Sequence, residues 1–195
     1  MRALCVVLAV IACACAHAPA PSHHVVEPDS NAVSVWDGAF RINGGSGWTL
    51  GETNSSGETF RAAYRSTDAT PIACRFHIET EDAGDASIEQ LNARTRAETQ
   101  TQYANDSRGA HRISELSERQ AGAALVMVWD FVDAEGVSHV VNRAFLRPVE
   151  SGRTLSAVKH CSSAAPLDAS NAAINGLRAE FNFQAPYWSR LSDAS

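Results

Sequence analysis

The sequence predicts an α+β fold, in which helices pack on the faces of a central antiparallel sheet of about six to eight strands. Three observations favour this fold. Residues 121–163 contain three β-rich runs separated by short breaks, as in an antiparallel meander. Shorter runs with a two-residue alternation precede them from residue 36 onward. Two segments with helical spacing follow these two groups of runs.

The first group predicts four strands, at residues 36–42, 48–52, 58–66 and 71–80. In the last of them apolar residues alternate with Arg75, His77 and Glu79, which is the pattern of a half-buried strand. These three polar side chains share one face. A solvated face is the usual meaning of such a pattern, and a binding surface is the alternative.

A first helix is predicted over residues 86–103, because Ser87 and Gln90 have the spacing of a capping box. Its apolar stripe is thin, which is typical of a helix lying on the surface of a sheet. A second helix is predicted after Asp168 or Ser170, either of which can cap it. Three apolar residues then recur at helical spacing: Ile174, Leu177 and Phe181.

The run at residues 125–132 has apolar side chains on both faces, which predicts a central strand covered on both sides. Any ligand pocket between the sheet and a helix is then expected to be lined by residues such as Trp129 and Phe145.

The N-terminus predicts export. A short positive start, an apolar region and small residues make residues 1–16 an export signal. The segment ending at Cys13 resembles the lipobox of bacterial lipoproteins, so Cys13 is the expected lipidation site. The alternative is ordinary signal-peptidase cleavage near Ala16 or Ala18. Residues 17–35 are proline-containing and without periodicity, which predicts a flexible linker. A single α+β domain is predicted at residues 36–184, followed by a C-terminal tail at residues 185–195.

Only two cysteines, Cys74 and Cys161, lie in the predicted domain. An oxidising envelope compartment permits a disulfide between them. Closing a loop of this size contributes roughly 4 to 5 kcal/mol in the chain-entropy model. Two separate buried thiols are the alternative, since sequence alone does not place the two Cα atoms within bonding distance.

Composition argues against two classes of partner. The formal net charge is −6 and no basic run exists, so nucleic-acid binding has little electrostatic support. No apolar run reaches the roughly 20 residues of a membrane-spanning helix. Contact with a membrane is therefore expected only through the lipid anchor.

No catalytic residue, metal site or cofactor is predicted. Ser156 and Lys159 have the Ser-x-x-Lys spacing of acyl-transfer enzymes, but they lie in a strand pattern, where residues three apart point to opposite faces. His160 and Cys161 are adjacent and face oppositely for the same reason. The remaining strand histidines, including His77 and His139, are interpreted as scattered surface residues rather than metal ligands.

The order of strands, helix, meander and C-terminal helix, with Phe40-Arg-Ile42 and then Gly47-Trp48 near its start, resembles the PsbP-like superfamily. That group includes the extrinsic photosystem II protein, a nuclear-transport relative and many uncharacterised bacterial lipoproteins. The resemblance covers residues 36–183, although the proline usual before the Gly-Trp pair is missing. It implies an antiparallel sheet with helices on both faces, and a binding or assembly role rather than catalysis.

The leading hypothesis is a non-enzymatic envelope protein, anchored by lipid in the outer membrane and facing the periplasm, which binds another envelope protein. The alternative is a soluble periplasmic protein that binds a small ligand.

Overall fold

The computed structural model describes residues 24–27, 31–56, 58–82, 86–107, 112–115, 123–147 and 153–188. Its strands, in chain order, are β1 His24–Glu27, β2 Ala32–Val35, β3 Phe40–Asn43, β4 Trp48–Ser56, β5 Thr59–Ser66, β6 Ala73–Asp82, β7 Arg112–Glu115, β8 Ala123–Val132, β9 Ser138–Arg147, β10 Arg153–Ser163 and β11 Arg178–Phe181. Helix α1 spans Ile88–Ser107, and the short helix α2 spans Ala172–Gly176.

A seven-stranded antiparallel sheet in the order β4-β5-β6-β10-β9-β8-β7 forms the centre of the molecule. It confirms the predicted central sheet, and β8, β9 and β10 form the predicted meander. β10 pairs with β6 along ten residue pairs and so joins the N-terminal hairpins to the meander. Both faces of β8 are buried at Met127, Val128 and Trp129, although this strand lies next to the edge strand β7 rather than at the centre.

The two faces of this sheet have different covers. The inner face, which includes Phe60, Phe76 and Ile78, packs against a second sheet of four strands in the order β1-β2-β3-β11. On the outer face, α1 packs against β8 and β9, where Leu91 contacts Met127 and Phe145. The molecule is therefore mainly β with some helices. The expectation that helices cover both faces is met only in part, because short strands form most of the cover on the inner face and α2 adds Ile174 to it.

Helix α1 begins at the predicted capping box. The backbone N–H of Ser87 donates to Gln90 Oε1 at 2.8 Å, and the backbone N–H of Gln90 donates to Ser87 Oγ at 3.2 Å. The two bonds satisfy donors that the first helical turn leaves free. Among the helices that the structure describes, none has both the length and the hydropathy that crossing a bilayer requires.

The predicted linker at residues 17–35 extends too far. Residues 24–27 and 32–35 form β1 and β2, and Val33 and Val35 are fully buried in the core between the sheets. The first strand predicted at residues 36–42 is interrupted by a turn, in which Trp36 and Asp37 have φ angles of 51° and 53°. This left-handed conformation is strained for a bulky residue, and the burial of the Trp36 ring holds it in place.

The predicted second helix is correct only for residues 172–176. Asn171, rather than Asp168 or Ser170, caps it, because its Oδ1 accepts from the backbone N–H groups of Ala173 and Ile174. The helix ends at Gly176, and residues 178–181 pair with β3 as a strand.

The predicted tail at residues 185–195 is packed where the structure describes it. Ala185 and Trp188 are buried in the core, and Trp188 Nε1 donates to the carbonyl oxygen of Asn182 at 2.9 Å. Tyr187 stacks on Trp36 with 5.3 Å between ring centroids. The core therefore extends to residue 188.

Candidate functional site

No described helix or strand covers the outer face of the large sheet over β4, β5 and β6. Cross-strand register places Arg61 opposite His77, and Ala63 opposite Arg75, on this face. Arg65 follows by the two-residue period. The three arginine side chains are exposed, and α1 covers the other end of the face at β8 and β9. The polar face predicted for β6 from Arg75, His77 and Glu79 is thus present, and β5 widens it.

Two adjoining depressions give this open face a concave shape, which we call the arginine groove. One, of about 980 Å³, is lined by residues that include Arg61 and His77. The other, of about 620 Å³, includes Arg65. Both share Ala63 and Arg75. Because the small side chain of Ala63 lies between the long arginine side chains, the groove has room for side chains of a partner.

The hydrogen bonds of the groove leave two cations available. Arg61 Nε donates to His77 Nδ1 at 3.1 Å, and His77 Nε2 lies 3.3 Å from Glu79 Oε2. Within the described residues, Arg65 and Arg75 make no ion pair. Guanidinium groups bind carboxylates in a two-pronged geometry. Two exposed and unpaired guanidinium groups on one face can therefore bind an acidic partner.

One carboxylate and two imidazoles form a hydrogen-bonded series on the outer face, at the β8–β9 turn and on the adjacent strands β9 and β10. Asp133 Oδ2 lies 2.8 Å from His139 Nε2, and His139 Nδ1 lies 2.9 Å from His160 Nε2. Phe131 stacks on the His139 ring with 4.6 Å between centroids. The sequence builds this chain through the β8–β9 turn, where Asp133 Oδ1 accepts from the backbone N–H groups of Glu135 and Val137.

The hydrogen-bonded arrangement of Asp133, His139 and His160 is of a kind that can transfer a proton and stabilise charge. The hydrogen bond from His139, followed by the backbone bond from Val137, holds the pKa of Asp133 below its ordinary value. The ionised carboxylate orients the His139 ring, as in many acid–base sites.

A cleft opens between the two sheets at β11, which we call the inter-sheet cleft. Its volume is about 510 Å³, and it lies between Val126, Ala144 and Ala157 of the large sheet and the segment from Leu177 to Phe181. Lys159 reaches into it and donates from Nζ to the carbonyl oxygens of Ile174 at 2.9 Å and Leu177 at 3.2 Å. Burial lowers the pKa of this lysine to about 8.

Cys74 and Cys161 lie directly opposite each other in β6 and β10, with 1.99 Å between their sulfur atoms. Both are fully buried on the inner face. His160, adjacent to Cys161, points to the outer face, so the two side chains cannot act as a nucleophile and base. Ser156 and Lys159 likewise point to opposite faces. Cys13, the expected lipidation site, lies outside the described residues.

Other predicted residues are placed differently from the expectation. Trp129 and Phe145 were expected to line a ligand pocket, but they are only 0% and 5% exposed. Phe145 packs with Leu91 of α1, and Trp129 packs with Phe131 and Val141. Of the strand histidines, His139 and His160 meet, whereas His77 bonds to Arg61. Over the part of the chain that the structure describes, no group of three or more His, Cys, Asp or Glu side chains is arranged to hold a metal ion.

Sequence reasoning missed two of these side chains. Asp133 lies in the short break between the first two runs of the meander and was not predicted as a site residue, although an Asp that opens a turn ending in Gly136 often organises the turn. Lys159 was considered only with Ser156. Its position as the one lysine of the chain, within an apolar strand, was the available signal.

No family model matches this chain. No curated protein matches it either. A comparison with solved structures finds the Ran-binding protein Mog1p of Saccharomyces cerevisiae, at 12% identity and a TM-score of 0.46, over 85% of this chain and 91% of that one. A likeness at this level establishes neither a common fold nor a common function.

Proposed function

We propose that this chain is an exported, non-enzymatic envelope protein, anchored by lipid at Cys13, whose domain binds an acidic surface of another envelope protein. The observation that carries the proposal is the arginine groove. The PsbP-like resemblance of residues 36–183 belongs to the same proposal, because that superfamily is expected to bind or assemble rather than to catalyse.

The first argument is that other elements of the fold cover only part of the large sheet. Its inner face is closed by the four-stranded sheet, and α1 closes the outer face at β8 and β9. At β5 and β6 the same outer face carries exposed side chains, among them Arg61 and Arg75. A sheet face with one half buried and one half open offers a broad rigid surface for a partner.

The second argument is charge. The whole chain has a formal net charge of −6, yet the groove holds three arginines against Glu52 and Glu79. Glu79 already interacts with His77. The local excess of positive charge favours a partner that supplies carboxylates, and such complementarity raises both association rate and specificity.

The test of the groove is a binding titration with a short fluorescent peptide rich in glutamate, followed by anisotropy. Removing the charge with Arg75→Ala should weaken binding about tenfold, which corresponds to loss of one charge-assisted contact. Arg94→Ala is the matched control, because it removes the same charge from an exposed side chain on α1, away from the groove. It should leave the affinity unchanged.

Two outcomes would count against the proposal. Equal weakening by Arg75→Ala and Arg94→Ala would show only a general charge effect. Tighter binding of a single-stranded oligonucleotide than of a peptide with the same charge would indicate a nucleic-acid surface instead.

The anchor is tested by the intact mass of the mature protein, extracted from its native membrane. A chain that begins at Cys13 and carries acyl groups supports the proposal. A chain that begins after Ala16 or Ala18, without lipid, removes the anchor and makes the protein a soluble periplasmic one.

A further inference from the structure

The inter-sheet cleft has the features of a binding site for a small molecule. Most of the residues that line it are apolar, among them Val126, Val128, Ala144 and Phe181. Its volume of about 510 Å³ lies within the range of ligand sites in proteins. The cleft is open because alanines, among them Ala144, lie on both of its walls, where larger side chains would fill it.

Five of the residues that line this space are polar: Asn142, Lys159, Asn175, Arg178 and Glu180. Lys159 of β10 and Asn142 of β9 are direct cross-strand partners, and both line the cleft. The Asn142 amide makes no hydrogen bond within the described residues. Its N–H groups are therefore available beside the Lys159 ammonium.

The ammonium of Lys159 lacks a negative partner. Two carbonyl oxygens accept from it, but within the described residues no carboxylate pairs with it. Glu180 lines the same cleft, but its carboxylate lies 3.7 Å from Arg41. A largely buried cation without a counter-ion is costly, and an anionic ligand would relieve that cost.

We propose that the inter-sheet cleft binds a small apolar carboxylate, with its tail between the sheets and its carboxylate between Lys159 Nζ and the Asn142 amide. One ammonium hydrogen remains for this contact beyond the two that hold the carbonyl oxygens of Ile174 and Leu177. The site is independent of the arginine groove, because it lies on the opposite face of the large sheet.

Decanoate is the probe, and decanol is its neutral counterpart of the same length. Isothermal titration of the purified protein at neutral pH should show saturable decanoate binding with one site per chain. Decanoate should bind at least tenfold more tightly than decanol. Lys159→Met should bring decanoate down to the affinity of decanol.

Because Lys159 also holds two carbonyl groups, Lys159→Met can disturb the cleft itself. Ala144→Leu is the second variant, since it keeps the lysine and fills the apolar space; it should abolish binding of both probes. Ala104→Leu, at an exposed position of α1, is the matched control and should bind as the parent does. Absence of saturable binding, equal affinity for decanol, or unchanged binding by Ala144→Leu would each overturn the proposal.

Discussion

Cys74 of β6 lies directly opposite Cys161 of β10, at the junction between the N-terminal hairpins and the C-terminal meander. The two residues are 87 positions apart in the sequence. The disulfide therefore joins the two halves of the large sheet across the β6–β10 pairing. It also lies in the core that the two sheets share.

We predict that breaking this link lowers the free energy of unfolding by about 4 kcal/mol, from the loop-closure entropy of the unfolded chain. The measurement is urea denaturation of the parent and of the Cys74→Ala/Cys161→Ala variant, each with and without reductant. Reductant should destabilise the parent and have no effect on the variant. A parent that is equally stable in reductant would show that the bond contributes nothing.

Lys159 should make the free energy of unfolding depend on pH in the alkaline range. Burial lowers its pKa from 10.5 to about 8, so between these values the unfolded chain binds more protons than the folded one. Stability should consequently rise as pH increases from 8 toward 10, by up to about 3 kcal/mol. The raised pKa of the buried Tyr64 acts in the opposite direction above pH 10, because its unfolded form ionises first.

The experiment is urea denaturation across that pH range, with Lys159→Met as the comparison. As Lys159 is the only lysine, no other lysine contributes to the slope. In the Lys159→Met variant, stability should not rise between pH 8 and 10. A parent whose stability is constant or falls between pH 8 and 10 would contradict the burial of the charged group.

The C-terminal segment should be part of the cooperative fold. Trp188 is 3% exposed, and replacing it with alanine should cost roughly 3–5 kcal/mol, as for other buried aromatics. Gln184→Ala, at an exposed side chain, is the control and should change stability by less than about 0.5 kcal/mol. A small effect of Trp188→Ala would mean that this segment contributes little to the stability of the fold.

Asp133 should remain ionised to lower pH than an ordinary aspartate, because its charged form accepts from His139 and from two backbone N–H groups. Since the folded pKa is depressed, the stability that this carboxylate contributes is present above its unfolded pKa and is lost as pH falls through the folded pKa. Carbon-13 NMR of the carboxyl group measures its titration. His139→Gln should move the pKa upward, and an unchanged titration would exclude the proposed hydrogen bond as its cause.

The sequence predicted β6, the meander and the start of α1 well, since each has a local signal. Alternation in β6 reflects one buried face, and the Ser87–Gln90 spacing forms its own hydrogen bonds. The predicted extent of the second helix was wrong. Ile174, Leu177 and Phe181 have helical spacing, but residues 178–181 pair with β3, which is a long-range contact. Long-range pairing can override local preference.

The candidate sites were predictable only in part. The polar face of β6 was visible from alternation, but its extension by Arg61 and Arg65 depends on β5 lying next to β6. The inter-sheet cleft was not predictable, because it needs the position of β11 over the large sheet. Short strands such as β2 carry too few residues for a periodic pattern, and so residues 32–35 looked like linker.

The most direct test of the proposed function is to map the acidic peptide onto the protein by NMR. Backbone shifts are followed while the glutamate-rich peptide is added at low salt, and then as salt is raised to screen the charges. We expect the perturbed residues to lie on β4, β5 and β6 around Arg61, Arg65 and Arg75, and the shifts to reverse with salt. Perturbation centred on α1 or on β11, with the groove unaffected, would contradict the assignment of the arginine groove as the binding surface.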